Sequence, residues 1–154
     1  MTEAGKKAPN FSLPTEDGGK VSLKDFMGQM LVLYFYPKDD TSGCTKEAIG
    51  FSEMLGAFKK AGANVLGVSK DTPEKHAKFR AKHELTVPLA SDEDGKVIEA
   101  YGSWVEKNMY GKKYMGIERS TFLIGPDGKI LEVWRKVRVP GHVEKVLDAV
   151  KAHG

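Results

Sequence analysis

Apolar positions along the chain change period from one segment to the next, and the changes lay out a succession of elements. Phe11-Ser-Leu13 and Val21-Ser-Leu23 alternate on either side of Thr15-Glu-Asp-Gly-Gly19, the pattern of a small hairpin. Met30-Leu-Val-Leu-Tyr-Phe-Tyr36 is an unbroken apolar, β-prone run that stops at Pro37, as in a strand buried on both faces. Beyond a polar loop from Pro37 to Gly43, the residues Ala48, Phe51, Leu55 and Phe58 recur at helical spacing, and Gly62 closes the segment. Asn64 to Ser69 predicts a second buried strand. Thr72-Pro73 supplies an N-cap and a first-turn proline for a helix running towards His83. Val87 to Ser91 predicts a short third strand, and Pro88 sets it near a sheet edge. A short helix follows over Lys96 to Tyr101, then a loop-like, aromatic and basic stretch from Gly102 to Gly116. Ser120 to Ile124 and Lys129 to Trp134 flank Gly125-Pro-Asp-Gly128 as a second hairpin, and Val143, Val146, Leu147 and Val150 mark the apolar face of a terminal helix.

Alternating β–α–β–α–β followed by a hairpin and a helix predicts an α/β fold: a mixed central sheet, flanking helices and an N-terminal hairpin. The thioredoxin-like fold ends in that way and is the architecture expected by analogy. At 154 residues, with no repeat, low-complexity tract or linker, the chain is expected to form one domain over residues 1–154. Apolar residues at 40% and charged residues at 29% exclude collagen, coiled coil and disorder. The net charge of +3 is too small and too scattered to argue for nucleic acid. The longest apolar run is too short to cross a membrane, and Met1 to Pro14 lacks the apolar core of a secretory signal. The expected compartment is the cytoplasm.

Candidate chemistry is sparse. His76 and His83 share a helical face two turns apart, too far for joint ligation, so they read as ordinary surface or packing residues, and no metal is expected. The one cysteine, Cys44, rules out an intramolecular disulfide, a CxxC pair and multi-cysteine metal sites. It follows the first buried strand by one loop and opens the first long helix, the end of an α/β sheet where ligands bind. Unpaired N–H groups in a first helical turn and the helix dipole both favour a thiolate there. The competing reading is an inert buried cysteine. Its polar and small neighbours Ser42, Gly43, Thr45 and Lys46 argue instead for a loop rim and a reactive thiol.

The segment Pro37-Lys-Asp-Asp-Thr41-Ser-Gly-Cys44 contains Pro-x-x-x-Thr-x-x-Cys and resembles the active-site motif of peroxiredoxins. Tyr34-Phe-Tyr-Pro-Lys-Asp39, Gly43-Cys-Thr45, Lys107-Asn-Met-Tyr-Gly111 and Gly116-Ile-Glu-Arg-Ser-Thr-Phe-Leu-Ile124 are similar to the bacterioferritin comigratory protein, or peroxiredoxin Q, branch. The resemblance runs from Lys7 to Ala152 and implies site roles. Cys44 would be the peroxidatic nucleophile, Thr41 would accept a hydrogen bond from the peroxide, and Pro37 would shield the site and fix the loop. Arg119 would hydrogen-bond thiolate and peroxide together, with backbone N–H groups of Gly43 and Cys44 completing the pocket. Read alone, Thr41 is a loop or N-cap threonine, Pro37 a strand terminator, and Arg119 a solvated strand-edge residue; only the joint pattern gives them the site roles. Glu47, one turn after Cys44, either orients an arginine, with Arg119 the candidate, or is an exposed first-turn glutamate favoured by the dipole.

The chain departs from the branch where a resolving cysteine would stand: one such position holds Ile49, the other Arg80. The resemblance therefore implies a one-cysteine cycle reducing hydrogen peroxide and small organic hydroperoxides, with no metal, haem or flavin. The partner is an external thiol: thioredoxin, glutaredoxin or glutathione. A monomer or weak dimer is expected. The alternative is a non-catalytic redox sensor or binding module on the same scaffold. The basic stretch Lys107 to Lys113, with Trp104, Tyr110 and Tyr114, is expected to be a solvated loop with packing aromatics and not a nucleic-acid site.

Overall fold

The computed structural model describes residues 3–154. Its centre is a five-stranded sheet built on β3 (Met30–Phe35), where all six residues are buried. Side chains of successive strand residues point to opposite faces. Val32, Tyr34 and Tyr36 therefore enter one apolar cluster, and Leu31, Leu33 and Phe35 enter the other. The apolar run has no polar face because neither side of this strand meets water.

β4 (Ala63–Ser69) pairs with β3 in parallel, and β5 (Leu89–Ser91) extends the sheet in parallel at the edge. Pro88 stands just outside β5, as an edge proline should. On the other side of β3 lie β8 (Ser120–Ile124) and β9 (Ile130–Trp134), both antiparallel to their neighbours. The order is β5-β4-β3-β8-β9, a mixed sheet. Helices α1 (Ser42–Lys60), α2 (Pro73–His83) and α4 (His142–His153) cover the Tyr34 face through residues such as Phe51, Phe79 and Val146. The other face takes the short α3 (Lys96–Ala100), through Ile98, and the N-terminal hairpin of β1 (Ser12–Pro14) and β2 (Lys20–Ser22). One close approach requires glycine: a Cβ on Gly67 would lie 2.6 Å from Cζ of Tyr34, its cross-strand neighbour on β3.

Two expectations are corrected. Gly102 to Gly116 is mostly a hairpin and not a loop, with β6 (Trp104–Met109) paired antiparallel to β7 (Lys112–Ile117). Tyr110 and Gly111 turn it with φ of 52° and 79°. Positive φ at both central positions is the geometry that matches strand twist, but it is usually signalled by Asn-Gly, and tyrosine hides it. Leu23, expected to end the alternating run Val21-Ser-Leu23, instead opens a 3-10 turn over Leu23–Phe26 whose entry is fixed by Asp25 accepting from the Ser22 N–H at 2.8 Å. Among the described residues no helix is long and apolar enough to cross a membrane.

Candidate active site

The end of β3 hands the chain to a short loop, Pro37 to Thr41, and then to α1. Asp40 lies in the left-handed region, φ 61°, a conformation aspartate tolerates, and turns the chain into the helix. Its carboxylate bonds outward to Lys82 Nζ at 2.6 Å and His83 Nε2 at 2.8 Å, both on α2. Thr41 occupies the N-cap position of α1 but makes no cap bond with its side chain. Instead its hydroxyl donates to the Lys38 carbonyl at 2.8 Å. The hydroxyl hydrogen is thereby committed, and the oxygen keeps lone pairs to accept from a ligand. Uncapped, the first-turn N–H groups of Ser42, Gly43 and Cys44 have no partner within the helix, and the positive end of the dipole faces the same space.

Cys44 lies in that first turn and is 1% exposed, within the Tyr34-face cluster. The loop-rim expectation is thus corrected: the small polar neighbours line the approach, while the sulfur itself is enclosed. Burial alone would suit an inert cysteine. The contacts do not, because Arg119 Nη2 donates to Cys44 Sγ at 3.3 Å. Arg119 stands one residue before β8, whose register sets Ser120 opposite Phe35, so the guanidinium arrives beside the loop after β3. Gly43 gives it room, since a Cβ there would lie 3.1 Å from Nη2.

The other arm of Arg119, Nη1, donates to Glu47 Oε1 at 2.7 Å. Glu47 is fully buried, and its Oε2 makes no hydrogen bond. Burial therefore dominates and pushes its carboxyl up to about 7, against the opposing pull of Arg119. Burial works to lower the pKa of Arg119, but the charges of Glu47 and Cys44 and the bonds to both outweigh it and raise it. A cation held by two acidic neighbours keeps its charge and its direction. Pro37 is half-buried at the loop entrance. Cys44, Thr41, Arg119, Glu47 and Pro37 thus surround one end of α1, although Arg119 is far from the rest in sequence.

Other residues near the site are given no role in it by the sequence. Lys107 on β6 is within electrostatic reach: burial lowers its pKa first and the charge of Arg119 adds to this, while Cys44 and Glu118 work the other way. His76 is not an ordinary surface or packing residue. It is fully buried, with Nδ1 2.7 Å from Asp39 Oδ2. His83 is half-buried against Asp40. Among the described residues no group of three or more histidine, cysteine or acidic side chains is arranged to hold a metal. Ile49 is half-buried on α1, and Arg80 on α2 pairs with Glu16.

Residues 4–133 match the AhpC/TSA family. A putative peroxiredoxin bcp of Coxiella burnetii is 54% identical over 145 residues, covering 94% of this chain and 96% of that protein. The peroxiredoxin Q of Xylella fastidiosa, solved as a cysteine-to-serine mutant, superposes with a TM-score of 0.94 at 44% identity, over 99% of this chain and 98% of that one. The Xanthomonas campestris bacterioferritin comigratory protein, described for alkyl peroxide reduction with a trapped intermediate or ligand, gives a TM-score of 0.88 at 48% identity, over 93% and 91%. Xanthomonas peroxiredoxin Q has been solved with serine at either of two different cysteines, whereas this chain has one cysteine. The chain belongs to the AhpC/TSA family, within its peroxiredoxins of the bacterioferritin comigratory protein, or peroxiredoxin Q, branch.

Proposed function

We propose that Cys44 is the peroxidatic cysteine of a thiol-dependent peroxidase that completes its cycle with an external thiol. The observation that carries this reading is the 3.3 Å contact from Arg119 Nη2 to Cys44 Sγ. A fixed guanidinium beside the sulfur supplies a charged donor that also faces the oxygen on which charge develops as the peroxide bond breaks. In the first step the thiolate attacks one peroxide oxygen. The S–O bond forms, the O–O bond breaks, and the leaving oxygen departs as hydroxide or alkoxide and takes a proton from solvent. Thr41 Oγ1, its own hydrogen held by Lys38, accepts from the peroxide hydroxyl and sets the line of attack. Pro37 keeps water off the loop entrance and offers no N–H to compete for the substrate. Glu47 orients Arg119.

Sulfenic acid at Cys44 then meets an external thiol: a mixed disulfide forms and water leaves. A second thiol attacks the mixed disulfide, regenerating Cys44 and releasing the oxidised reductant. The single cysteine supports this route, since the chain has no second cysteine to form an internal disulfide. Glutathione, glutaredoxin and thioredoxin all supply the required thiol, and a cytoplasmic setting maintains them reduced. The alkyl peroxide chemistry described for the Xanthomonas relative supports small organic hydroperoxides alongside hydrogen peroxide.

The test is rapid-quench mass spectrometry of reduced protein mixed with one equivalent of hydrogen peroxide and a sulfenic-acid trap. The expected result is a trapped adduct on Cys44, formed far faster than on free cysteine. Oxidation no faster than free cysteine would overturn the reading. Steady peroxide consumption with a small thiol distinguishes the enzyme from a redox sensor, which would oxidise once and stop.

A further inference from the structure

Two carboxylates, a histidine and a tyrosine are buried together behind the loop that carries Pro37 and Thr41, and the peroxidase steps give none of them a task. Asp39 is the centre of the group. Its backbone N–H donates to Asp71 Oδ2 at 2.8 Å, its Oδ1 accepts from the Tyr36 hydroxyl at 2.6 Å, and its Oδ2 lies 2.7 Å from His76 Nδ1. His76 is fully buried on α2, and its Nε2 lies 3.0 Å from the Ala90 carbonyl on β5. Asp71 accepts in turn from Ser69 Oγ at 2.7 Å, closing the turn between β4 and α2. The end of β3, the β4–α2 turn and α2 itself therefore converge on one loop residue.

Donor accounting fixes the direction of these bonds. A carbonyl only accepts, so His76 Nε2 carries a hydrogen towards Ala90. Burial holds the Tyr36 phenol protonated, so it donates to Asp39. Between Nδ1 and Oδ2 one shared proton completes the bridge, whichever atom holds it. Asp39 is thus gripped from three directions by short, directional bonds. Burying such a pair rarely gains stability over well-packed apolar side chains. What it supplies is position.

Asp39 stands two residues after Pro37 and two before Thr41. Asp40 turns the backbone with its φ of 61°, and Thr41 Oγ1 reaches back over Asp39 to the Lys38 carbonyl. Lys38 to Thr41 is a closed turn whose buried attachment is the Asp39 side chain. We propose that His76 is a positioning residue for the peroxidase reaction: acting through Asp39, it holds this turn so that the free lone pair of Thr41 meets the peroxide beside Cys44. The inference rests on the peroxidase reading above.

Two variants separate its two bonds. In His76→Asn the amide nitrogen overlies Nδ1 and keeps the bond to Asp39; in His76→Gln it overlies Nε2 and keeps the bond to Ala90 instead. His76→Asn removes more of the side chain than His76→Gln, so a merely structural role would make the Asn variant the more damaging of the two. The readouts are the rate at which peroxide oxidises Cys44 and the ultraviolet titration of its thiolate. His76→Gln is expected to slow peroxide oxidation about tenfold or more, the scale of a small misplacement of a reacting group, with the thiolate titration unmoved. His76→Asn is expected to lose less than about threefold by the same reasoning. Should His76→Gln not fold, Tyr36→Phe removes a different bond to Asp39 without changing volume and is expected to slow the same step with the same unmoved titration. Equal rates in the Asn and Gln variants, a Tyr36→Phe protein as fast as the native one, or a rate loss matched by a shifted titration would each overturn the inference alone. A native chain no faster than free cysteine would overturn it together with the peroxidase reading.

Discussion

Arg119 and Arg80 are both partly buried, and each is bonded to a glutamate. Arg119, its side chain 16% exposed, holds a Glu47 that is fully buried and spends its other arm on Cys44. Arg80, 30% exposed, holds a Glu16 that is itself 21% exposed and sends its other arm to the Thr86 carbonyl at 3.4 Å. The first pair is walled in and aims a charge at a sulfur. The second is a bridge at the molecular surface, in the region where the resemblance places a resolving cysteine in other members of the branch. The difference teaches that the two halves of a peroxidase cycle are separable in this fold: the proposed peroxide site at the end of α1 is walled in, while the outer face of α2 around Arg80 carries ordinary surface chemistry.

The sharpest way to break that contrast is Cys44→Ser. It is expected to abolish turnover with any thiol while leaving the fold intact; residual peroxidase activity with unchanged circular dichroism would place the chemistry elsewhere. Arg119→Met comes next. Losing one preorganised donor costs about 100-fold in comparable sites, and the second-order rate of Cys44 oxidation is expected to fall by that order. A loss under threefold would show that the 3.3 Å contact is incidental.

Glu47 and His142 sharpen the contrast through pH. Burial, opposed by Arg119, lets folded Glu47 keep its proton up to about 7, against an ordinary value of 4.5. Between those values the folded state binds the extra proton, so this contribution to stability is present at low pH and lost as pH rises to about 7. His142, on α4 and bonded to Thr121, is shifted the other way. Burial first, then the charges of Arg119 and Lys145, lower it from 6.5 to about 4. Here the unfolded state binds the extra proton, so the contribution is present above 6.5 and lost as pH falls towards 4. The two windows overlap with opposite slopes. Denaturant titrations of Glu47→Gln are expected to show stability rising more steeply from pH 4.5 to 7 than in the native chain, by about 3 kcal/mol. His142→Gln is expected to tilt it the other way. Identical pH profiles in all three proteins would contradict the burial of Glu47.

The smallest effect belongs to Arg80→Met. A surface bridge of this kind is worth no more than about 1 kcal/mol, and the peroxide rate is expected to change less than twofold. A large kinetic effect would join the Arg80 bridge to the peroxide half and dissolve the contrast.

Much of this was written locally in the chain. The run from Met30 to Tyr36 reads as a strand buried on both faces because every position is apolar, and Thr72-Pro73 reads as a helix start because capping is a short-range device. Cys44, Thr41 and Pro37 lie within one loop and one helical turn, so their grouping was legible. Arg119 was legible only through resemblance, since what brings it to Cys44 is the pairing of β8 with β3, a register set by the whole sheet. The Asp39–His76 pair gave no sign. An aspartate in a loop and a histidine on a helix are common, and their meeting depends on how α2 packs over β3. The β6–β7 hairpin was hidden by a Tyr-Gly turn in place of the usual signal.

The enclosure of Cys44 sets a clock. A peroxide is small enough to reach a sulfur that is 1% exposed, but a thiol peptide or a redox protein is not. On the proposed cycle, reduction by such a partner requires the first turn of α1 to open, and Gly43 within that turn lowers the cost of its doing so. The lifetime of the oxidised enzyme on that cycle would then be set by how often the helix frays and less by chemistry at sulfur. During each wait a second peroxide competes for the same atom, and winning that race drives the sulfur to irreversible acid. A substitution that stiffened residues 42–45 would therefore make the protein sturdier at rest and shorter-lived at work.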